Sequence, residues 1–192
     1  MKFLLLGWML LVGLGTTTAF SWGPEGHMAV GLLAKPLLTP ATQSALTNIL
    51  AGEDIGDLAV TCWADFIRRN KGMKRIYPDN DRWHYLDLNV NTPATNYQLS
   101  ADGNDVVSQV ERWKDVLADP QVDAVHKRDA ARFLIHFVAD MHQPLHCADR
   151  DEDRGGNLVS VHSFRGEHFT VEAETSTNGR PNLHRTWDDY LI

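Results

Sequence analysis

The segment from Phe133 to His146 constrains this chain more than any other, because a helical pattern coincides with a metal-ligand spacing. His136 and Asp140 are four residues apart, and residues with that spacing project from one face of an α-helix. An imidazole and a carboxylate can therefore bind the same metal ion. Pro144 ends the helix, because proline lacks an N–H and disfavours a helical conformation at the preceding residue. His146 lies just beyond the break and can reach a second ion.

A second pair, His184 and Asp188, repeats the four-residue spacing near the end of the sequence. A single pair of this kind is more often an ion pair on the surface of a helix than a metal site. Two pairs in one chain, with His146 beside the first, indicate a site that holds more than one metal ion.

The chain begins with the pattern of a secretory signal peptide: a lysine, an apolar run over residues 3–15 and small residues up to Ser21. The apolar run is too short for a membrane span. We expect residues 1–21 to be removed from a secreted or periplasmic protein, with a mature domain over residues 22–192. Cleavage there would leave Trp22 with a free α-amine, which can bind a metal ion once it is deprotonated.

Acidic residues outnumber basic residues by 25 to 18, and the formal net charge is −7 at pH 7. Loss of Lys2 with the signal peptide would make the mature chain more acidic still. Such a surface repels a polyanion at long range, which excludes nucleic-acid binding through a broad basic face. Recognition of phosphate would need a local positive charge, and metal ions supply one.

Cys62 and Cys147 are the only two cysteines. In an exported protein they can form a disulfide bond. A bridge would join the segment Trp63–Asp65 to His146. Two buried free thiols are the alternative.

Apolar periodicity and capping residues predict a mainly helical chain before residue 147, with an irregular connection over residues 77–93. The first predicted helix runs from about His27 to Leu33 before Pro36, and the second runs from Thr39-Pro40 to near Gly52. The third runs from Gly56 to Arg69. The fourth starts at a cap at Asn104, and the last runs from the Asp123 region to the residues before Pro144. Farther along, residues 158–161 and 167–171 flank Arg165-Gly166 and predict a small β-hairpin.

Short motifs occur in a fixed order along the sequence and carry a resemblance to a known family. They are Trp22-Gly-Pro-Glu-Gly-His27, Trp63-Ala-Asp65, Trp83-His84-Tyr85-Leu-Asp87, His142-Gln-Pro-Leu-His146, Gly155-Gly-Asn157 and the His184–Asp188 pair. The chain resembles the zinc-dependent single-strand nucleases of the S1/P1 family, which are related to bacterial zinc-dependent phospholipases C. The resemblance implies a mainly α, phospholipase C-like helical fold with a small β-hairpin, and three Zn²⁺ ions per chain.

The resemblance also assigns metal ligands. It places the first ion of a close pair on Asp65, His84, His136 and Asp140, its partner on Trp22, His27 and Asp140, and the third ion on His146, His184 and Asp188. Neutral imidazoles and carboxylates suit Zn²⁺. The other four histidines receive no metal role.

Three further residues receive roles at the substrate. The resemblance gives Asp87 the catalytic role of orienting the attacking water or the substrate, although an acid in a loop can simply cap a turn. Tyr85 would stack on an unpaired base, or simply pack against its neighbours. Asn157 matches a polar position near the phosphate, but Gly-Gly-Asn is also common in turns.

The implied activity is hydrolysis of P–O3′ bonds in single-stranded RNA and DNA to 5′-phosphorylated products, with 3′-nucleotides as further substrates. We expect a monomer without stable membrane association. The sequence stops four residues after Asp188, where family members continue, so we expect either a truncated sequence or a C-terminally shortened form of the domain. It also has no basic residue soon after Asp87, where several relatives have a lysine. A phospholipase C-like phosphodiesterase and a secreted, inactive zinc-binding relative are the alternatives.

Overall fold

The computed structural model describes residues 22–93, 98–161, 163–164, 167–168 and 182–191. The helices in this part of the chain are α1 (Pro24–Ala34), α2 (Pro40–Ile49), α3 (Leu58–Thr61), α4 (Trp63–Arg69), α5 (Met73–Ile76), α6 (Val106–Ala118), α7 (Ala124–Met141) and α8 (Leu183–Arg185). Short 3-10 turns span Lys35–Leu37 and Pro144–His146, and a π-helical turn spans Thr186–Tyr190. The predicted mainly helical fold is confirmed. Across the described helices, none is both long and apolar enough to cross a bilayer.

Two helices start where their capping residues predict. The hydroxyl of Thr39 accepts a hydrogen bond from the backbone N–H of Thr42 at 3.1 Å, and Pro40 occupies the first position of α2. The carboxylate of Asp123 accepts hydrogen bonds from Val125 N at 2.9 Å and His126 N at 3.1 Å at the start of α7. A cap of this kind contributes about 1 kcal/mol to helix stability, so both starts are fixed locally.

The predicted cap of α6 is wrong by one residue. Asp105 caps this helix, because its carboxylate accepts a hydrogen bond from Ser108 N at 2.8 Å. The side chain of Asn104 is engaged elsewhere and accepts a hydrogen bond from Trp83 Nε1 at 2.9 Å. A tertiary contact therefore decides which of two adjacent capping residues is used.

The single helix predicted from Gly56 to Arg69 is also wrong, because the structure has two helices, α3 and α4. The chain departs from helical geometry at Cys62, where φ is −106° and ψ is 9°. Beside this break, the carbonyl oxygen of Thr61 accepts a hydrogen bond from His136 Nδ1 at 2.7 Å. The interruption thus lies next to a proposed metal ligand.

The predicted hairpin is present with a different first strand. Ser163–Phe164 (β1) pairs in antiparallel register with Glu167–His168 (β2), so the two strands flank Arg165-Gly166 as predicted. Residues 158–161 do not form the first strand, because Ser160 makes an isolated bridge to Asn182 instead. The predicted signal peptide, residues 169–171 of the predicted second strand and the segment 172–181 lie outside the described residues.

Aromatic packing fixes the long helix α7 in the middle of the fold. Phe133 stacks on Trp113 of α6 with ring centroids 4.4 Å apart, and Phe137 stacks on Phe133 at 5.2 Å. Both phenylalanines are fully buried, and such rings contribute roughly 1.5–3 kcal/mol each through burial. Because residues 136 and 140 follow Phe133 and Phe137 by three positions, the same packing sets the direction of the polar face of α7.

Candidate metal centre

The structure brings the predicted ligand side chains into one interior cluster. Seven of them expose at most 4% of their surface: His27, His84, His136, Asp140, His146, His184 and Asp188. Asp65 is partly buried at the edge of the cluster. Trp22 lies beside it, and its indole Nε1 donates a hydrogen bond to the carbonyl of Ala139 at 2.9 Å. Residues from six separate stretches of sequence therefore meet at the end of α7.

The ligand atoms fall into three groups, and the atoms of each group lie within 4.8 Å of one another. The groups are Asp65, His84 and His136; then His27, His136 and Asp140; then His146, His184 and Asp188. The third group is the set expected for the third ion. The first two groups share His136, whereas the expected shared ligand is Asp140, which belongs to the second group only.

The carboxylate of Asp140 lies between the three groups. Its Oδ2 atom is 3.0 Å from His84 Nδ1 and 3.2 Å from His136 Nε2. Its Oδ1 atom is 3.4 Å from His27 Nε2 and 3.7 Å from His146 Nδ1. The two oxygens thus face different histidines, which is the arrangement that a bridging carboxylate needs.

Backbone carbonyls orient three of the imidazole rings. The Nδ1 atom of His136 contacts the carbonyl of Thr61 at 2.7 Å, and those of His146 and His184 contact the carbonyls of His84 and Gly155 at 2.8 Å. A carbonyl oxygen only accepts, so each Nδ1 carries the proton and each neutral ring has its lone pair on Nε2. This is the usual way in which proteins prepare histidine for a metal ion.

Several atoms of the cluster are suited to a cation rather than to one another. Asp140 Oδ1, His146 Nε2 and Asp188 Oδ2 are buried and have no hydrogen-bond partner within the described ranges. Leaving a buried polar atom unsatisfied costs about 1–3 kcal/mol. A dication between imidazoles and carboxylates would satisfy all three atoms, and nitrogen and oxygen donors fit Zn²⁺.

The shifted pKa values of two carboxyl groups in the cluster also favour a bound cation. Burial raises the pKa of Asp188 to about 9, and the nearby carboxylates of Asp189 and Asp140 raise it further. The hydrogen bond from Gln143 acts in the opposite direction but is too weak to offset them. Burial also opposes ionisation of Asp140, but His136, His146 and His27 together outweigh burial and hold the pKa of Asp140 well below its usual value. A bound cation would let Asp188 ionise as well.

Comparison with known proteins decides the family. The S1/P1 nuclease family model matches residues 22–192. This chain belongs to the S1/P1 nuclease family. The match includes the whole cluster and every helix of the structure.

Curated members of the S1/P1 family are similar along most of the chain. Nuclease P1 of Penicillium citrinum is 29% identical over 175 residues, which cover 88% of this chain and 58% of the relative. Endonuclease 4 of Arabidopsis thaliana is 29% identical over 190 residues, and nuclease S1 of Aspergillus oryzae is 27% identical over 174 residues. These matches cover 56% and 54% of the two relatives. The chain therefore spans little more than half the length of the family members that it matches.

The residues predicted to contact substrate in this S1/P1 chain lie near the cluster in different settings. Asp87 reaches the surface, but neighbouring atoms shield part of its carboxyl group from water. This shielding and the nearby carboxylate of Asp149 raise the pKa of Asp87. The N–H of the residue before it, Leu86, donates to the carbonyl of His146 at 2.6 Å, which ties this segment to the third group. Tyr85 is partly buried. Their roles at the substrate stay predictions.

Asn157 takes part in the turn that precedes the hairpin. Its Nδ2 atom donates to the carbonyl of Arg154 at 2.9 Å, and its Oδ1 atom accepts from Asn182 Nδ2 at 3.2 Å. These contacts fit the alternative that Asn157 shapes the turn, and a contact with phosphate stays a prediction.

Two residues that contact proposed ligands received no role from the sequence. Arg68 donates to Asp65 Oδ1 at 3.0 Å, and only the three-residue spacing of an acid and an arginine on α4 could have indicated this contact. Gln143 donates to Asp188 Oδ1 at 2.7 Å. It lies inside the His142–His146 motif, where a glutamine before proline gives no sign of a long-range partner.

The two cysteines, His126 and His142 belong to none of the three ligand groups. Cys62 and Cys147 are separate thiols in the structure, and burial raises the pKa of each to about 11. Of the two alternatives for this pair, the structure has the free thiols and not the disulfide bond. His126 and His142 are exposed, in agreement with their having no proposed metal role.

Gly155 is required by the geometry of the third group. Its φ is +61°, and a Cβ atom there would lie 2.2 Å from the carbonyl oxygen of Leu145 and 3.3 Å from His184 Nδ1. We expect Gly155→Ala to displace the carbonyl that holds His184, to lower thermal stability by roughly 5–10 °C and to weaken zinc binding at the third group. Differential scanning fluorimetry and zinc content measure both effects.

Gly103→Ala is the matched control for this substitution. Gly103 also has a positive φ, +68°, but nothing lies within 4 Å of the added Cβ atom. Gly103→Ala should lose only the thermal stability that an alanine with a positive φ costs, and it should keep its full zinc content. Equal effects of the two substitutions would contradict the role given to the Gly155 carbonyl.

Proposed function

We propose that this chain is a zinc-dependent nuclease that hydrolyses P–O3′ bonds of single-stranded RNA and DNA and releases 5′-phosphorylated products. The supporting observation is the buried cluster of five histidines and three carboxylates, arranged in three ligand groups, in a member of the S1/P1 nuclease family. The names of its relatives, nuclease and endonuclease, agree with this proposal.

The proposed ligands are those that the resemblance to the S1/P1 family assigns. Asp65, His84, His136 and Asp140 would hold one ion, Trp22, His27 and Asp140 would hold its neighbour, and His146, His184 and Asp188 would hold the third. Bound zinc supplies Lewis-acid stabilisation of phosphate charge and lowers the pKa of a water molecule towards neutrality. The α-amine of Trp22 becomes a ligand only if the preceding residues are removed, so the proposal includes processing of an exported precursor.

The chain's own residues would position the substrate and its attacking water. Asp87, at the exposed end of the segment that contacts His146, would orient the attacking water by accepting its hydrogen bond. Tyr85, two residues earlier, offers an aromatic face for an unpaired base, and stacking of this kind contributes about 1–3 kcal/mol per base. Base stacking requires that the nucleotide be unpaired, which favours single strands over duplexes.

Local charge explains how an acidic protein would attract a polyanion. The carboxylates of Asp65, Asp140 and Asp188 leave a formal excess of three positive charges when three dications are bound. This excess is concentrated at one site, whereas the net charge of −7 is spread over the chain. Binding of phosphate would therefore depend on the zinc content and not on a basic surface. We propose a secreted or periplasmic monomer that also accepts 3′-nucleotides.

The decisive experiment measures zinc and cleavage together in protein that begins at Trp22. We expect about three zinc ions per chain by plasma mass spectrometry, cleavage of single-stranded RNA to 5′-phosphorylated products, and loss of cleavage after chelation with recovery on zinc addition. A choline phosphodiester is the control substrate. Cleavage of that lipid head group without cleavage of RNA would favour a phospholipase C-like enzyme, and three zinc ions without any turnover would favour an inactive zinc-binding relative.

A further inference from the structure

Gln143 is a fully buried glutamine between the end of α7 and the 3-10 turn that carries His146. Its Nε2 atom donates a hydrogen bond to Asp188 Oδ1 at 2.7 Å, across 45 residues of sequence. Its Oε1 atom accepts a hydrogen bond from the backbone N–H of Leu145 at 2.5 Å. The side chain therefore links the turn after α7 to the π-helical turn near the end of the sequence.

The contact with Leu145 determines which way the amide of Gln143 faces. A backbone N–H only donates, so the atom that it contacts must be the carbonyl oxygen of the glutamine. The amide NH₂ group then has to point towards Asp188. The orientation follows from the hydrogen-bond chemistry, and a reversed amide would place an oxygen against the carboxylate.

The same amide selects which oxygen of Asp188 remains available. Oδ1 accepts the bond from Gln143, whereas Oδ2 is buried without a hydrogen-bond partner among the described residues and lies 3.4 Å from His184 Nε2. The lone pair of His184 points to the same place, because its Nδ1 contacts the carbonyl of Gly155. Asp188 thus presents one oxygen to the third group.

The backbone of Gln143 connects the groups as well. Its N–H donates to the carbonyl of Asp140 at 3.0 Å, and its carbonyl accepts from His146 N at 3.0 Å. One residue is therefore bonded to a residue of the proposed pair, to the following histidine of the third group and to Asp188. A change confined to its side chain removes the last of these bonds and leaves the two backbone bonds in place.

We propose that Gln143 is a positioning residue that controls occupancy of the third metal group separately from the close pair. This inference rests on the proposed zinc function. Gln143 holds the carboxylate of Asp188 through one oxygen, so that the other oxygen and the two imidazoles converge on one ion. Residues that orient ligands in this way typically change metal affinity by about 10–100-fold when they are removed.

Gln143→Glu is the sharpest test, because it keeps the shape and the acceptor for Leu145 but places an oxygen against Asp188. We expect zinc content to fall from about three to about two per chain at a limiting free zinc concentration, with the weakest site weakened by about 10–100-fold in competition with a chelating dye. Gln143→Met removes the donor without adding charge and should change occupancy in the same direction. It also gives an answer if the glutamate variant does not fold.

Gln109→Glu provides a matched control within α6. Gln109 is 4% exposed, and its Nε2 atom donates to the carbonyl of Gly103 at 2.9 Å, so the substitution disturbs a comparable buried bond outside the cluster. This variant should lose stability and keep three zinc ions with wild-type affinity.

The outcomes separate this inference from the function on which it rests. Wild-type protein that binds fewer than three zinc ions or does not cleave RNA would overturn the proposed function. Wild type with three zinc ions and cleavage, together with either Gln143 variant holding three ions at wild-type affinity, would overturn the positioning role alone. A general structural role for Gln143 would lower the melting temperature without a selective loss of one ion.

Discussion

Asp140→Asn is expected to remove both ions of the proposed pair and to reduce cleavage of single-stranded RNA by at least about 1000-fold. Both oxygens of this carboxylate face histidines, at 3.0 Å and 3.2 Å on one side and 3.4 Å and 3.7 Å on the other. An amide offers one weak acceptor in place of two anionic oxygens, so it cannot bridge two dications. Zinc content should fall from about three to about one per chain, as measured by plasma mass spectrometry.

The variant His142→Gln is the control for the loss at Asp140. His142 follows Asp140 by two residues, but its side chain is exposed and its Nδ1 atom contacts the carbonyl of Val138 within the same helix. We expect three zinc ions and full cleavage. An Asp140→Asn protein with full metal content and full activity would refute the bridging assignment, and a His142→Gln protein without zinc would show that the histidines were assigned wrongly.

The long helix could be predicted from sequence because all of its determinants are local. Asp123 caps its start, Pro144 follows its end, and His136 and Asp140 share a face through their spacing alone. The four-residue spacing of a histidine and an aspartate identified only this pair and the His184–Asp188 pair as metal ligands. The grouping of the remaining ligand positions came from the resemblance to the S1/P1 family, because His27, Asp65 and His84 lie far from one another in sequence.

The parts of the fold that were predicted wrongly depend on tertiary contacts. No glycine or proline marks the break between α3 and α4 at Cys62, where the adjacent carbonyl of Thr61 contacts His136. Asn104 is a good cap by type, but the indole of Trp83 takes its side-chain oxygen. Gln143 carried no local sign of a role, because its partner Asp188 lies 45 residues away.

Chelation is expected to destabilise the fold strongly, because the ligands form part of its interior. A ligand present at about 1000 times its dissociation constant stabilises the native state by about 4 kcal/mol per site. For a chain of this length, 1 kcal/mol corresponds to roughly 2–4 °C in melting temperature. Removal of zinc should therefore lower the melting temperature by at least about 10 °C at pH 7.5. An unchanged melting temperature after complete removal would mean that the cluster does not bind metal in the native state.

The chelated protein should lose stability relative to the zinc-bound protein as the pH rises. Burial opposes protonation of His136, but Asp140 and Asp65 outweigh it and raise its pKa to about 9. The proton on His136 therefore stabilises the metal-free fold fully below about pH 6.5, and this contribution is lost as the pH rises to about 9. Burial raises the pKa of Asp188 from its usual value near 4 to about 9, so the metal-free fold also loses stability as the pH rises from about 4 to about 9, because the unfolded chain ionises this carboxyl group first.

Bound zinc removes this trend, because its ligands bind it in their deprotonated forms and its affinity rises with pH. We expect the difference in melting temperature between zinc-bound and chelated protein to widen from pH 6.5 to pH 9. Scanning fluorimetry of both forms across this range measures the difference. A gap that narrows with rising pH would contradict competition between protons and metal at His136 and Asp188, whereas a widening gap ties the stability of the fold to the ions that the proposed chemistry needs.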